Sequence, residues 1–419
     1  MREYLLMAVV AAAVTFVLVP PVRRLAVRLG AVPAIRDRDV HTDPTPRLGG
    51  LAMYGGLVAG LVVASLVPHA GRALADPETA GGNTVVALIA GGGLITLLGF
   101  LDDWRGMDPF VKLAGQLGAG LVLATCGLAL PWIPLPDSLG GSYSLDSLLS
   151  PAVTVLVVVV VINAINFVDG LDGLAAGIVG ISALVTWAYS LVLSWDQQDS
   201  RINVTAAVTS VLIGVCAGFI PHNFHPARIF MGDTGAMLIG LVLASSMITI
   251  IPQIPSADST ALNRFPVLLP LLLPLAVMVL PLMDLLFAVV RRLSRGMSPF
   301  APDRGHLHHR LLDIGHSHRR TVLIMYAWTF LFGAAVVGLS VTRVPFVFFP
   351  VTVALALGLL WHMASPRWRA RRRLRTAAPP ALASEPAPVP APPVPPAHAV
   401  RQGGGPSRDE VVRQGGVAR

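Results

Sequence analysis

Charged residues are scarce in this sequence, 13% of the chain against 54% hydrophobic, and a mean hydropathy of +0.69 lies outside the range of soluble domains. A water-soluble fold is thereby excluded. Cysteine is sparse as well. The two present, Cys126 and Cys216, both fall in apolar stretches, so neither a disulfide framework nor a thiolate metal site is supported. Lysine is nearly missing, since 30 of 31 basic residues are Arg. We read that bias as the coding signature of a GC-rich genome and attach no mechanism to it. The net charge of +8 would suit a nucleic-acid partner, but the placement of the basic residues records membrane topology instead, and no nucleic acid is expected.

What the chain has in abundance is long apolar runs. Windows of roughly 20 residues, enough to cross a bilayer, recur along it. They predict helices near 4-20, 51-68, 84-100, 112-130, 151-168, 174-195, 204-220, 236-253, 266-290, 321-341 and 345-363. The expected fold is thus all-α and polytopic, with about eleven transmembrane helices. The first run follows Arg2 but lacks a small-x-small cleavage site, which reads as a retained helix. If that helix starts outside, only Arg2, Arg72, Arg201, Arg264 and Arg343 lie outside, and the other 26 basic residues lie inside. The positive-inside rule requires that asymmetry. Residues 1-363 form the membrane domain. Residues 364-419 begin with a basic cluster, Arg367 to Arg375, suited to anionic headgroups, and continue as an Ala/Pro-rich tail expected to be disordered.

Five inside segments carry dense polar chemistry: Arg36 to Gly50, Asp102-Asp103, Asn163 to Asp172, Asn223 to Gly235, and Asp303 to His318. Sharing one face, they can converge on one site. Adjacent carboxylates at a membrane border repel unless a cation or a proton intervenes, so Asp102 and Asp103 suggest a divalent ion, with helix-end solvation as the plain alternative. In Asn163-Ala-Ile-Asn166-Phe-Val-Asp169-Gly-Leu-Asp172, polar groups recur every third position, which on a helical path aligns them for a sugar, a base or a cation. A capping run would look similar. Asp233 and Thr234 directly precede the eighth predicted helix, where an anion or a phosphate-bound metal is favoured, or where Asp233 serves as a simple N-cap. The cluster His306, His308, His309, His316 and His318 invites a zinc reading. Phosphate-handling sites, however, favour Mg²⁺ on oxygen ligands, which leaves the histidines to contact phosphate.

These residues resemble one superfamily, the polyprenyl-phosphate N-acetylhexosamine-1-phosphate transferases, in particular the bacterial undecaprenyl-phosphate N-acetylglucosamine-1-phosphate branch. The matching segments are His41 to Gly50, Leu101 to Trp104, Asn163 to Ala175, Asn223 to Gly235 and Ser298 to Arg310. Five motifs in order are specific where any one alone is weak. The resemblance implies attack of a lipid phosphate on the sugar-linked phosphorus of a UDP-sugar, with release of UMP, at the cytoplasmic face of a bacterial plasma membrane. It implies Mg²⁺, with Mn²⁺ as a substitute, on Asp233, Asp102 and Asp103, one of the pair acting on the lipid phosphate. It further implies catalytic contacts from His308 and His309 to pyrophosphate and a loop bearing His41 and Arg47. The nucleotide-sugar pocket would be formed by Asn163, Asn166, Asp169, Asp172 on the uracil side, and Phe230 stacking on the base. Asp284 fits the pattern without a clear role. Ala236, where Ser is common, and Asp39, where a basic residue is frequent, depart from it. A homodimer stays open.

Two rival readings make different demands. The related transferase for UDP-N-acetylmuramoyl-pentapeptide usually carries Thr-Pro-Thr-Met-Gly-Gly, where this chain has Pro44-Thr-Pro-Arg-Leu-Gly-Gly50, and it ends differently at the histidines. A transporter would place its carboxylates near mid-span, whereas most here sit at one face.

Overall fold

A computed structural model describes residues 1–32, 45–75, 83–134, 142–196, 203–253, 293–294, 316–341 and 350–361. These all lie within the unit Met1–Ala370. The expected 266-290 span, Asp284, His41, His306, His308, His309 and the tail lie outside the described residues.

The described helices are α1 (Arg2–Arg28), α2 (Gly49–Leu66), α3 (Pro68–Ala75), α4 (Thr84–Arg105), α5 (Pro109–Thr125), α6 (Leu149–Val168), α7 (Leu174–Asp196), α8 (Val204–Asn223), α9 (Gly232–Ile250), α10 (His318–Val341) and α11 (Pro350–Trp361). Eight of them, α1, α2, α4 and α6 to α10, are long and apolar enough to cross a bilayer. The chain is a multi-pass membrane protein. Two features escape the apolar windows. Pro68 opens the short helix α3, as a residue without an amide hydrogen can at a first helical position. Between α5 and α6 an antiparallel ribbon pairs β1 (Trp132–Pro134) with β2 (Ser142–Ser144), which amends the all-helical expectation. Its segment is rich in Pro, Gly and Ser, residues that turn rather than continue a helix.

Helix α9 is the axis of the bundle. Nearly all of its residues are buried, and it packs against α2, α4, α6, α7 and α8. In lipid, helices associate through close packing of small residues rather than through the hydrophobic effect. Gly214 and Gly218 of α8 serve that purpose: a Cβ there would stand 2.8 and 2.9 Å from the carbonyl carbons of Ala8 and Ala12 in α1. Some buried hydroxyls are satisfied along their own helices, as Ser245 is by donating to the Leu241 carbonyl, and others across helices, as Thr205 is with Thr249 at 2.9 Å.

The two ends of the bundle differ in chemistry. At one, Glu3 accepts hydrogen bonds from His69 Nδ1 and the Ala70 amide, and the Asn203 amide donates to the Tyr4 hydroxyl. At the other, the C-terminal ends of α1, α4, α6 and α8 meet the N-terminal ends of α2, α5, α7, α9 and α10. The links there include Trp104 Nε1 to the Leu29 carbonyl, Gly49 N to the Phe230 carbonyl and Tyr326 to the Gly173 carbonyl. Residues 45–50 of the first polar segment, the whole of the next three, and His316 and His318 of the fifth lie at this second end.

Candidate active site

Helix α9 begins at Gly232, so Asp233 sits inside its first turn and is not its cap. The cap comes from another helix. Asp103, near the end of α4, accepts from the Asp233 amide (3.0 Å), the Thr234 amide (2.9 Å) and the Thr234 hydroxyl (2.6 Å). A carboxylate is well placed against the amides and positive dipole end of a helix start. Gly232 makes the approach feasible. Its φ is +69°, and an added Cβ would stand 2.7 Å from Asp103 Cγ. Because Asp103 caps the helix, the Asp233 carboxylate is released to face the site.

The Asp233 carboxylate meets that of Asp102 around one ammonium. Lys112, in the second turn of α5, places Nζ 2.8 Å from Asp102 Oδ2 and 2.7 Å from Asp233 Oδ2. Lys112 was not foreseen from the sequence, although it bears a visible signal: it is the one lysine in a chain whose other 30 basic residues are Arg. One turn further along α5, buried Gln116 exchanges amide hydrogen bonds with Asn163 of α6 (2.6 Å from Asn163 Nδ2 to Gln116 Oε1). A polar side chain within an apolar run was the signal for it. Asn166 lies one turn beyond Asn163, near the Asp233 carboxylate.

Asp169, in the turn after α6, is half-buried. Its carboxyl is pushed up to about 7 by desolvation first and then by the Asp233 and Asp103 carboxylates, with Arg47 opposing. The folded protein therefore holds a proton that the unfolded chain, titrating near 3.9, has released. Stability from this group is present below about pH 4 and is lost as pH rises toward 7. In EDTA, the apparent Tm of wild type should fall between pH 5 and 8 by an amount, on the order of 3 °C, that is missing in Asp169→Asn. Parallel melting curves for the two proteins would refute this.

Asp172 is buried, and its Oδ2 accepts from His225 Nδ1 (2.8 Å) and the Ala227 amide (3.0 Å). The His225 ring stacks on His318, centroids 4.3 Å apart and planes 16° apart, while Arg319 Nε donates to the His225 carbonyl. Asp172, His225 and His318 are close enough to suggest a metal. Near-parallel rings, however, point their in-plane lone pairs side by side, and converging donors are what a tetrahedral ion needs. The arrangement suits a hydrogen-bonded stack better. Buried Asn223 ties the same region together, accepting from the Gly173 amide and donating to the Ile229 carbonyl. Phe230 is half-buried, its amide donating to the Pro46 carbonyl. That pairing sets exposed Arg47 at the rim. The next residue, Leu48, has a φ of 88°, a strained conformation held by a fully buried side chain.

Of the sequence-expected residues, then, Arg47, Asp102, Asp103, Asn163, Asn166, Asp169, Asp172, Phe230 and Asp233 lie at this one end of the bundle. A comparison with known proteins bears on what they do. The profile described as Glycosyl transferase family 4 matches residues 85–251. Over 338 residues, 80% of this chain and 82% of the relative, the sequence is 46% identical to a decaprenyl-phosphate N-acetylglucosaminephosphotransferase of Mycobacterium tuberculosis. The chain belongs to glycosyl transferase family 4. It is also 31% identical to a probable undecaprenyl-phosphate N-acetylglucosaminyl 1-phosphate transferase of Bacillus subtilis, over 77% of this chain and 81% of that one. With the undecaprenyl-phosphate alpha-N-acetylglucosaminyl 1-phosphate transferase of Escherichia coli K12 it shares 29% over 84% and 90%. The family segment holds the cluster of Asp102, Asp103, Lys112, Asn163, Asn166 and Asp233, and excludes Arg47 and the α10 residues.

Proposed function

We propose that this transferase moves N-acetylglucosamine 1-phosphate from UDP-N-acetylglucosamine to a polyprenyl phosphate, releasing UMP and leaving a lipid-linked pyrophosphoryl sugar that starts a cell-envelope glycan. The observation that carries the reading is the convergence of Asp102 and Asp233 oxygens from two helices on a single cationic position, in a chain whose relatives bear that activity in their names. Both substrates are anionic, and a site that joins them must offset that charge.

The donor set fits Mg²⁺. Carboxylate oxygens that already share one ammonium at 2.7 to 2.8 Å suit a hard cation that favours oxygen ligands. Asp233 and Asp102 would hold it, with Asp103 fixing the start of α9 from behind. Bound there, the ion supplies charge neutralisation for the diphosphate and stabilises charge building on the transferred phosphoryl group. The residues do the rest by position. An acceptor phosphate oxygen forms a bond to the sugar-linked phosphorus as the bond to the UMP oxygen breaks. Asn166 stands beside Asp233, and Asn163 is held by Gln116 alongside. Asp169 and Asp172 shape the nucleotide side, Phe230 offers a face to the uracil, and Arg47 with His41, His308 and His309 meets phosphate oxygens. The lipid reaches the carboxylates from the side where α4 and α5 expose Leu97, Leu101, Phe110 and Leu113. Basic residues Arg23, Arg24, Arg28, Arg105, Arg228, Arg319 and Arg320 gather at the site end, against Arg2 and Arg72 at the other. This supports a cytoplasmic site.

The test is UMP release by detergent-solubilised protein given UDP-N-acetylglucosamine, polyprenyl phosphate and Mg²⁺. Lipid-dependent release that stops in EDTA and returns with Mg²⁺ or Mn²⁺ is expected. Release only from the muramoyl-pentapeptide nucleotide would overturn the choice of sugar, and release from neither would overturn the reaction.

A further inference from the structure

Asp102 and Asp233 come from different helices, and what joins them is the side chain of Lys112, whose ammonium lies within 2.8 Å of an oxygen of each. Two carboxylates brought this close are unfavourable unless a cation stands between them or they share a proton, and here an ammonium stands between them. An ammonium and a divalent cation are therefore alternative solutions to the same electrostatic problem, at the same point in space. They exclude each other. A divalent cation held by both carboxylates would need the position that Nζ fills.

The choice of residue fits this role. Thirty of the 31 basic residues are Arg, and the single Lys is the one at this position. A guanidinium is a broad planar fork, weakly suited to sitting at one point between two single oxygens. An ammonium is a compact charge on a flexible four-carbon stem and can leave without moving the helix that carries it. The Lys112 side chain is 18% exposed, so the stem has an open side toward which to swing.

We propose that Lys112 is an internal counter-cation, which holds Asp102 and Asp233 together in the substrate-free enzyme and must be displaced for a divalent cation to bind. The placement of the cation rests on the functional reading above. It follows that the cation binds the free protein weakly. It binds more tightly with a phosphate-bearing ligand, because the anion gives the displaced ammonium a new partner. By linkage, the cation strengthens binding of that ligand by the same factor.

Two measurements on the full-length protein in detergent, without nucleotide or lipid, test this. In the first, Mn²⁺ is titrated and free ion followed by electron paramagnetic resonance. Lys112→Gln should bind Mn²⁺ about tenfold more tightly than wild type, a difference of about 1.4 kcal/mol; equal or weaker binding by a folded variant overturns the proposal. The second needs no variant. Lys112 is the sole lysine, so reductive methylation read by mass spectrometry has one side-chain target. Saturating Mn²⁺ should speed its modification several-fold, and an unchanged or slowed rate overturns the proposal. A protein that releases UMP normally while Lys112 ignores Mn²⁺ would defeat this inference alone. One that exchanges Lys112 for Mn²⁺ yet releases no UMP would defeat the functional reading and leave the exchange standing.

Discussion

Asp233→Asn is expected to cut UMP release by 100- to 1000-fold, in the range seen when one group that stabilises transition-state charge is removed, while leaving the fold in place. The second half of that expectation comes from the capping arrangement. The amides of Asp233 and Thr234 are bound by Asp103, so the start of α9 does not depend on the Asp233 side chain. An amide there keeps the shape and one acceptor oxygen, but loses the charge that pairs with Lys112 and would hold the cation. Chromatographic profile and apparent Tm should therefore stay close to wild type while kcat collapses. Activity within threefold of wild type would remove Asp233 from the site. A large fall in Tm would make it a folding residue.

Gly50→Ala should be as damaging for a different reason. The new Cβ would collide with the Gly235 amide nitrogen and the Thr234 carbonyl carbon, and would stand 2.6 Å from Gly235 Cα. All three are backbone atoms in the first turn of α9, with no side chain able to rotate away. Relief requires α2 to back off, breaking the Gly50 amide bond to the Met231 carbonyl and the Gly49 bond to Phe230. We expect a loss of about 1–3 kcal/mol of stability from overpacking. Activity should fall at least 100-fold, because misplacement by about 1 Å at a reacting centre has that effect. Gly118→Ala is the control: its Cβ would meet only Leu94 Cδ2 at 3.7 Å. If both variants behave alike, the close approach of α2 to α9 is not what positions the site.

Sequence and structure agree most closely where the physics is local. A bilayer forces backbone hydrogen bonds to close within a helix, so apolar windows alone placed spans that the structure shows as α1, α2, α4 and α6 to α10. The ribbon between α5 and α6 went unnoticed because a three-residue strand leaves too short a pattern. The polar segments were legible too, since a charged group at a membrane border needs a reason to be there.

Pairing was another matter. Asp102 and Asp103 are neighbours in sequence and looked equivalent, but consecutive residues on a helix point about 100° apart. One therefore caps α9 and the other meets Lys112. The plain N-cap role that the sequence left open as the alternative for Asp233 falls away, because the residue that caps its helix is 130 positions away. Lys112 and Gln116 passed for part of an apolar span.

Composition and periodicity thus determined by themselves that this is a polytopic membrane protein with its chemistry gathered at one end, because burial in lipid and charge at a boundary act on each segment independently. Only the tertiary structure decided which carboxylate is spent on capping, which pair shares a cation and which base stands between them. Those outcomes depend on side-chain direction and on contacts between helices distant in the chain, which no local rule contains.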